Sequence, residues 1–358
     1  MSEAAPATRA AADERRLERL RDDLIAWFAR HQRDLPWRRR RDAYAVWLSE
    51  VMLQQTQVVT VVPYFERFLA RFPTVADLAA APLDEVLSMW SGLGYYARAR
   101  NLHRAAQVMA RDGIPASAAA LRALPGLGPY TAAAIATFAF GEAVPVLDGN
   151  VARVLCRLEA LELADDQNHP VLKARAEAFL DRARPGPFNE AMMELGALVC
   201  VPGDPRCLVC PVAAHCRARA SGDERRLPLP RVRLDKKPLR LACAVVRDGA
   251  RLLLIRRAEK GLFGGLWELP SVELGPGDDA RAALARLGLV TLDERPLGAV
   301  KRTLTHRLLS LELWPCGLVR GAALAAEGRF VAPGEWPSLG LSTAMRKALE
   351  KATAAALG

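Results

Sequence analysis

The chain has 358 residues, half of them hydrophobic, with 50 Lys and Arg against 40 Asp and Glu and a net charge of +10. That length predicts two or three domains that each bury a core, and the hydrophobic content argues against disorder as the default. The basic excess, carried by Arg, favours an acidic polymer as partner. No apolar run reaches the about 18 residues a membrane span needs and no secretory core opens the chain, so a soluble intracellular protein without membrane contact is expected. Seven cysteines, four of them clustered, suit a reducing compartment and a metal site better than a disulfide framework.

Residues 1–12 are Ala-rich and are expected to fray. Asp13 to Arg30 has helical spacing of Leu17, Leu20, Leu24, Ile25 and Phe28. Arg33, Trp37 and Arg38 follow in an Arg run to Arg41, and an aromatic plane beside guanidinium groups can stack on and hydrogen-bond a nucleobase. Tyr44 to Val58 reads as a second helix, in which Glu50 shares a face with Val46 and Trp47. Desolvation there predicts a raised pKa and a proton held near neutrality. The amides of Gln54, Gln55 and Gln57 precede a helix over Val62 to Phe72. Short helices separated by Pro and Gly fill 73–122. Among them Ser91-Gly92-Leu93-Gly94-Tyr95-Tyr96 forms a turn whose tip is either core packing or a wedge for the gap left by an extracted nucleotide.

Leu124 to Val151 is the centre of the pattern. Gly126 and Gly128 mark a tight turn before an Ala-rich helix from Thr131 to Ala139. Bare N–H groups at such a helix entrance can hold a phosphate without reading a base. Asp148-Gly149-Asn150 then places an acid where it caps the helix from Val151 to Leu158 or faces a ligand. Helices over His169 to Ala183 and Asn189 to Val199 lead to Cys200-x6-Cys207-x2-Cys210-x5-Cys216. Four thiolates accept either zinc or a 4Fe–4S cluster. Residues 217–239, rich in Pro and basic residues, read as a linker. Beyond them Leu241 to Val246 and Arg251 to Arg256 read as strands joined at Asp248-Gly249. Gly264-Gly265-Leu266-Trp267-Glu268-Leu269-Pro270, a helix from Ala280 and strand-like sequence from Leu297 to Val319 complete an α+β domain.

The segments SEVMLQQTQV, GLGYY, LPGLGPYTAAAI and LDGNV, the four-Cys loop and GGLWELP together resemble adenine DNA glycosylases of the MutY type, within the helix-hairpin-helix glycosylase superfamily. The resemblance runs from about Arg16 into the C-terminal region. It implies a mainly α catalytic region over 13–216, with two helical subdomains, a hairpin at 124–132 and an iron–sulfur loop at 200–216. A linker at 217–239 would join it to an α+β Nudix-like lesion-recognition domain over 240–358. By the same resemblance the cysteines hold a 4Fe–4S cluster, and the partner is double-stranded DNA carrying adenine opposite 8-oxoguanine. A monomer in the cytoplasm or nucleoid is expected. Glu50 is implied as general acid and base, Asp148 as stabiliser of a cationic sugar, and Asn150 and Tyr130 as supports. Arg33, Trp37, Arg38, Leu53 and Glu190 are implied around the flipped adenine. Gln55, Thr56, Leu93 and Tyr95 are implied on the lesion side, with Gly126 and Gly128 on phosphate.

Residue chemistry agrees with those roles. Protonation by Glu50 relieves a poor leaving group, and an ionised Asp148 stabilises an oxocarbenium-like sugar, a division of labour seen in glycoside hydrolysis. Two departures matter. Bifunctional relatives carry Lys where this chain has Tyr130, and without that amine no Schiff base forms there, so a monofunctional enzyme is expected. The family's Phe-Ser-His loop is here Leu304-Thr305-His306, which keeps a hydroxyl and loses an aromatic ring. The Nudix-like helix after Ala280 lacks the glutamates that would bind Mg2+, which disfavours a pyrophosphohydrolase. A thymine-glycol glycosylase with lyase activity is disfavoured by Tyr130. A non-enzymatic iron–sulfur DNA-binding protein would not need Glu50 and Asp148 in these settings.

Overall fold

A computed structural model describes residues 6–231, 235–319 and 327–355, with side chains from Asp13 onward. Residues 1–5 of the expected frayed tail lie outside the described residues, and from Pro6 the backbone is helical. Also outside them are 232–234 in the expected linker, and 320–326 and 356–358 in the expected C-terminal domain.

The helices are α1 (Pro6–His31), α2 (Pro36–Arg39), α3 (Ala43–Leu53), α4 (Val58–Arg71), α5 (Val75–Ala80), α6 (Leu83–Met89) and α7 (Ala97–Asp112). They continue with α8 (Ala118–Leu121), α9 (Pro129–Phe140), α10 (Gly149–Leu158), α11 (Pro170–Phe179), α12 (Pro185–Leu198) and α13 (Arg217–Ser221). The C-terminal part holds β1 (Lys237–Asp248), β2 (Arg251–Arg256), β3 (Trp267–Glu268), β4 (Ser271–Leu274), α14 (Ala280–Ala285), β5 (Leu289–Thr291), β6 (Gly298–Thr303), β7 (Arg307–Leu318), β8 (Gly328–Val331) and α15 (Thr343–Ala354). A helical N-terminal region followed by an α+β C-terminal part is the expected fold class. Two compact units result, one of residues 1–55 and 111–232, the other of 56–110 and 233–358.

In the first unit α1 lays Leu20, Leu24 and Phe28 against Val151, Leu155, Met192 and Leu195 of α10 and α12. That is the apolar stripe its spacing predicts. Helix α3 begins on Asp42, whose carboxylate accepts from the Ala45 amide at 3.0 Å, and every residue from Tyr44 to Met52 is buried. It stops at Leu53 and does not run on to Val58, because Gln55 takes a left-handed φ of +55°. The front half of the expected linker is not free chain. Residues 217–221 form α13, closed by left-handed Gly222, and Arg157 Nε donates to the Leu227 carbonyl at 2.8 Å. A buried guanidinium has five donors to satisfy, and this stretch of backbone supplies one acceptor.

In the second unit β1 is the shared strand of an eight-stranded sheet, parallel to β7 and antiparallel to β2 and β4. Asp248 pairs with Arg251 across the hairpin read at Asp248-Gly249. One sheet face packs on α15 and the other on α14. Residues 56–110 close on this domain: Ser91 Oγ and the Tyr96 hydroxyl donate to the Leu341 carbonyl at 3.0 and 2.9 Å, and Arg256 ion-pairs with Asp84 at 2.5 Å.

Candidate active site

Three elements of the first unit converge on one cavity of about 770 Å3, inside the about 300–1,000 Å3 typical of small-molecule sites. Helix α3 contributes Glu50 and Leu53, the hairpin contributes Gly126, Gly128 and Tyr130, and the N-terminus of α10 contributes Asp148. The hairpin forms as its residues dictate. Ser117 caps α8 by accepting from the Ala120 amide, left-handed Gly126 turns the chain, and Gly128 caps α9 with Pro129 at its first position. The Glu142 carboxylate, just past α9, accepts from the Ala118 amide at 2.6 Å and fixes the two helices together.

Glu50 is 5% exposed. Burial is the main cause that pushes its carboxyl up to about 7, opposed by the Tyr130 hydroxyl, which donates to Oε2 at 2.8 Å. The negative charges of Asp148 and Glu190 push the same way as burial. Tyr130 is held well above the usual phenol value by burial and by both carboxylates, so it remains a donor. Asp148 is the N-cap of α10 and accepts from the Val151 amide at 2.7 Å and Asn150 Nδ2 at 3.1 Å. Burial raises its pKa, while those hydrogen bonds and the nearby Arg153 pull it back. Two carboxyls thus share a cavity with unequal support for the ionised form, and Glu50 has the weaker support. A site of this kind can donate a proton from one side chain and stabilise positive charge with the other.

The other expected residues fall into separate settings. Of those implied around adenine, Leu53 alone lines the cavity. Trp37 is buried, and Arg33 and Arg38 are bound to Glu194, Arg33 Nη2 at 2.7 Å and Arg38 Nη2 at 3.0 Å. This pair holds the Glu194 carboxyl down to about 2 despite its burial. Glu190 takes Arg38 Nε at 3.4 Å and Arg41 at 3.0 Å. Gln55 lines the cavity. In the second unit Leu93 is buried whereas Tyr95, at a left-handed φ of +48°, is 43% exposed. The turn therefore gives one side chain to the core and one to the surface. Arg98 lies over the Tyr95 and Trp90 rings and donates to Thr56 Oγ1 and the Leu93 carbonyl, both at 3.1 Å. The Tyr95 hydroxyl meets Thr305 Oγ1. Thr305 and His306 are the exposed tip of the β6–β7 hairpin. Cys200, Cys207, Cys210 and Cys216 line one small pocket walled by Val154, Leu158, Leu195 and Val212.

Several supports were not legible in the sequence. Asn189 is 2% exposed and clamps the segment before Asp148, accepting from the Val146 amide at 3.0 Å and donating to the Val144 carbonyl at 2.9 Å. Arg153 joins Asn150 Oδ1 to the Gly196 and Cys200 carbonyls. Gln54, Gln167, Asn168, Lys173 and Glu177 also line the cavity. A polar residue among the buried positions of α12 is the one signal that could have found Asn189.

A glycine-turned hairpin thus lies beside two carboxyls, Glu50 and Asp148, on one cavity. Residues 48–178 match the HhH-GPD superfamily of base excision DNA repair proteins, and residues 242–351 match the NUDIX domain. The adenine DNA glycosylase of Homo sapiens is 38% identical, over 91% of this chain and 72% of the human protein. That of Arabidopsis thaliana is 40% identical, over 75% of this chain and 49% of the plant protein. A solved thermostable thymine-DNA glycosylase overlays with a TM-score of 0.54 and 27% identity, covering 59% of this chain and 99% of that one. The chain belongs to the adenine DNA glycosylase family. It is a base excision repair enzyme of the helix-hairpin-helix class with a Nudix-like C-terminal part. Among the described residues no helix is long and apolar enough to cross a membrane.

Proposed function

We propose that this enzyme removes adenine mispaired with 8-oxoguanine or guanine in double-stranded DNA, as a monomeric, monofunctional glycosylase that flips the nucleotide out of the duplex. The observation that carries the reading is the cavity shared by Glu50, whose carboxyl holds its proton to about 7, and the N-capping Asp148. Glu50 gives its proton to the adenine ring as the C1′–N9 bond breaks and the bonding pair leaves with the base. Asp148 then faces the oxocarbenium-like sugar as an ion pair or transient ester. Water adds at C1′, and its proton returns to Glu50. Tyr130 holds the Glu50 carboxyl through Oε2, and Asn150 holds Asp148. The hairpin presents a phenol and no amine, in keeping with hydrolysis without strand cleavage.

Leu53 and the ion-paired group of Arg33, Arg38 and Glu190, with Trp37 beside it in sequence, form the adenine-side set in this reading. Gln55, Thr56, Leu93, Tyr95, Thr305 and His306 serve the lesion, and the amides at Gly126 and Gly128 take phosphate. The 13–216 region is assigned catalysis and 240–358 recognition, with 217–239 between them.

The four cysteines fit a 4Fe–4S cluster. Among the described residues no group of three or more His, Cys, Asp or Glu is gathered as a metal site, yet all four cysteines line one pocket, and four thiolates are the ligand set such a cluster takes. Arg157 donates to Cys200 Sγ at 3.3 Å, which places a charged donor on one of the four sulfurs. Bound there, the cluster would cross-link the loop and could exchange an electron.

The test is single-turnover release from duplexes bearing adenine opposite 8-oxoguanine, adenine opposite guanine, or thymine glycol, each read before and after alkali. Adenine loss from the first two, with nicking only after alkali, is expected. Cleavage of the third alone, or nicking without alkali, would refute the assignment.

A further inference from the structure

The cavity that holds Glu50 and Asp148 is by its lining a hostile place for a nucleotide. Asp148 and Glu177 line it beside Glu50, which holds its proton to about 7, and each phosphate of the entering strand adds another negative charge. Amides at the hairpin are dipoles and carry no net charge. Among the lining residues the only Lys or Arg is Lys173. It is also the only lysine in the first 235 residues of a chain with seven lysines and 43 arginines.

Lys173 lies in the first half of α11, four residues before Glu177 and on the same helix face. Glu177 is paired with Arg182. Among the described residues Lys173 has no ion pair, and its side chain is exposed. The arginines nearest it in the chain are used differently: Arg175 is paired with Glu159 and Arg182 with Glu177. An Arg at 173 would offer a planar fork matched to the carboxylates of Asp148 and Glu177 that line this cavity. A lysine ammonium is a compact, hydrated point charge on a flexible stem that can follow one phosphate.

We propose that Lys173 holds a phosphate of the DNA strand that carries the extracted nucleotide, as a charged anchor alongside the neutral amides of the Gly126–Gly128 turn. The proposal rests on the glycosylase reading above and adds a binding residue to it. It requires a cation and no covalent chemistry.

The experiment measures affinity against salt for the full-length protein carrying Glu50→Gln, with and without Lys173→Gln or Lys173→Arg, on adenine:8-oxoguanine and adenine:guanine duplexes. One phosphate contact contributes about 0.9 to the slope of log K against log salt. Lys173→Gln is expected to lower that slope by about 1 and to weaken both duplexes by the same factor, with an unchanged melting temperature, while Lys173→Arg retains most of the slope. An unchanged slope for Lys173→Gln overturns the proposal. So does borohydride trapping of the parent enzyme that disappears in Lys173→Arg, because that would place the amine at C1′. Failure of the parent enzyme to release adenine would sink the glycosylase reading instead, and the two failures are read in separate assays.

Discussion

Glu50 sits where a carboxyl is costly to ionise, and both its rate and its stability consequences follow from that. As an acid it must be protonated, so adenine release should fall as pH rises through about 7, the value to which burial pushes Glu50. At the acid side release should fall again as Asp148, itself raised by burial, gains a proton. A single-turnover pH profile should therefore be bell-shaped, and a flat profile from pH 5 to 9 would contradict the assignment. The folded-state pKa of Glu50 lies above its unfolded value, so the folded chain binds this proton more tightly and loses stability as pH rises from about 4.5 to about 7. Glu50→Gln removes that loss. It should match the parent near pH 4 and exceed it by up to about 3 kcal/mol at pH 8, measured by denaturant unfolding. Its raised pKa was legible in the sequence because Val46 and Trp47 lie one turn before it. The Asn189 clamp and the Glu194 pairs were not, since each joins segments more than forty residues apart.

Helices were legible where apolar spacing is regular, and their ends were not. The reading of one helix over Tyr44 to Val58 failed at Gln55 because a left-handed residue followed by a second N-terminus leaves little trace in hydrophobic pattern. The 217–239 stretch looked like linker by composition, yet α13 and the Arg157 contact hold its first half against the first unit. Close packing of α10 on α12 was equally hidden. A Cβ at Gly196 would lie 2.7 Å from Asn150 Cβ and 3.1 Å from its carbonyl oxygen. Gly196→Ala should therefore cost about 1–3 kcal/mol in stability. It should also lower the adenine release rate by shifting the Asn150 that supports Asp148. Unaltered melting and an unaltered rate would show that the interface yields without effect.

Across the whole molecule, the basic balance points to an acidic polymer as partner and the clustered cysteines to a metal site. The division of the chain into two compact units could not be read from composition, because residues 56–110 look like the rest of the helical region and yet pack with the C-terminal sheet. If the four-Cys loop holds a 4Fe–4S cluster, purified protein should carry about four irons and four acid-labile sulfides per chain; one zinc and no sulfide would reverse that assignment. The most direct measurement is adenine release from an adenine:8-oxoguanine duplex by the parent and by Glu50→Gln, with DNA affinity read on the same samples. The account predicts release by the parent, a loss of at least about a hundredfold in the variant, and equal affinity. Release by Glu50→Gln within a few-fold of the parent would contradict it.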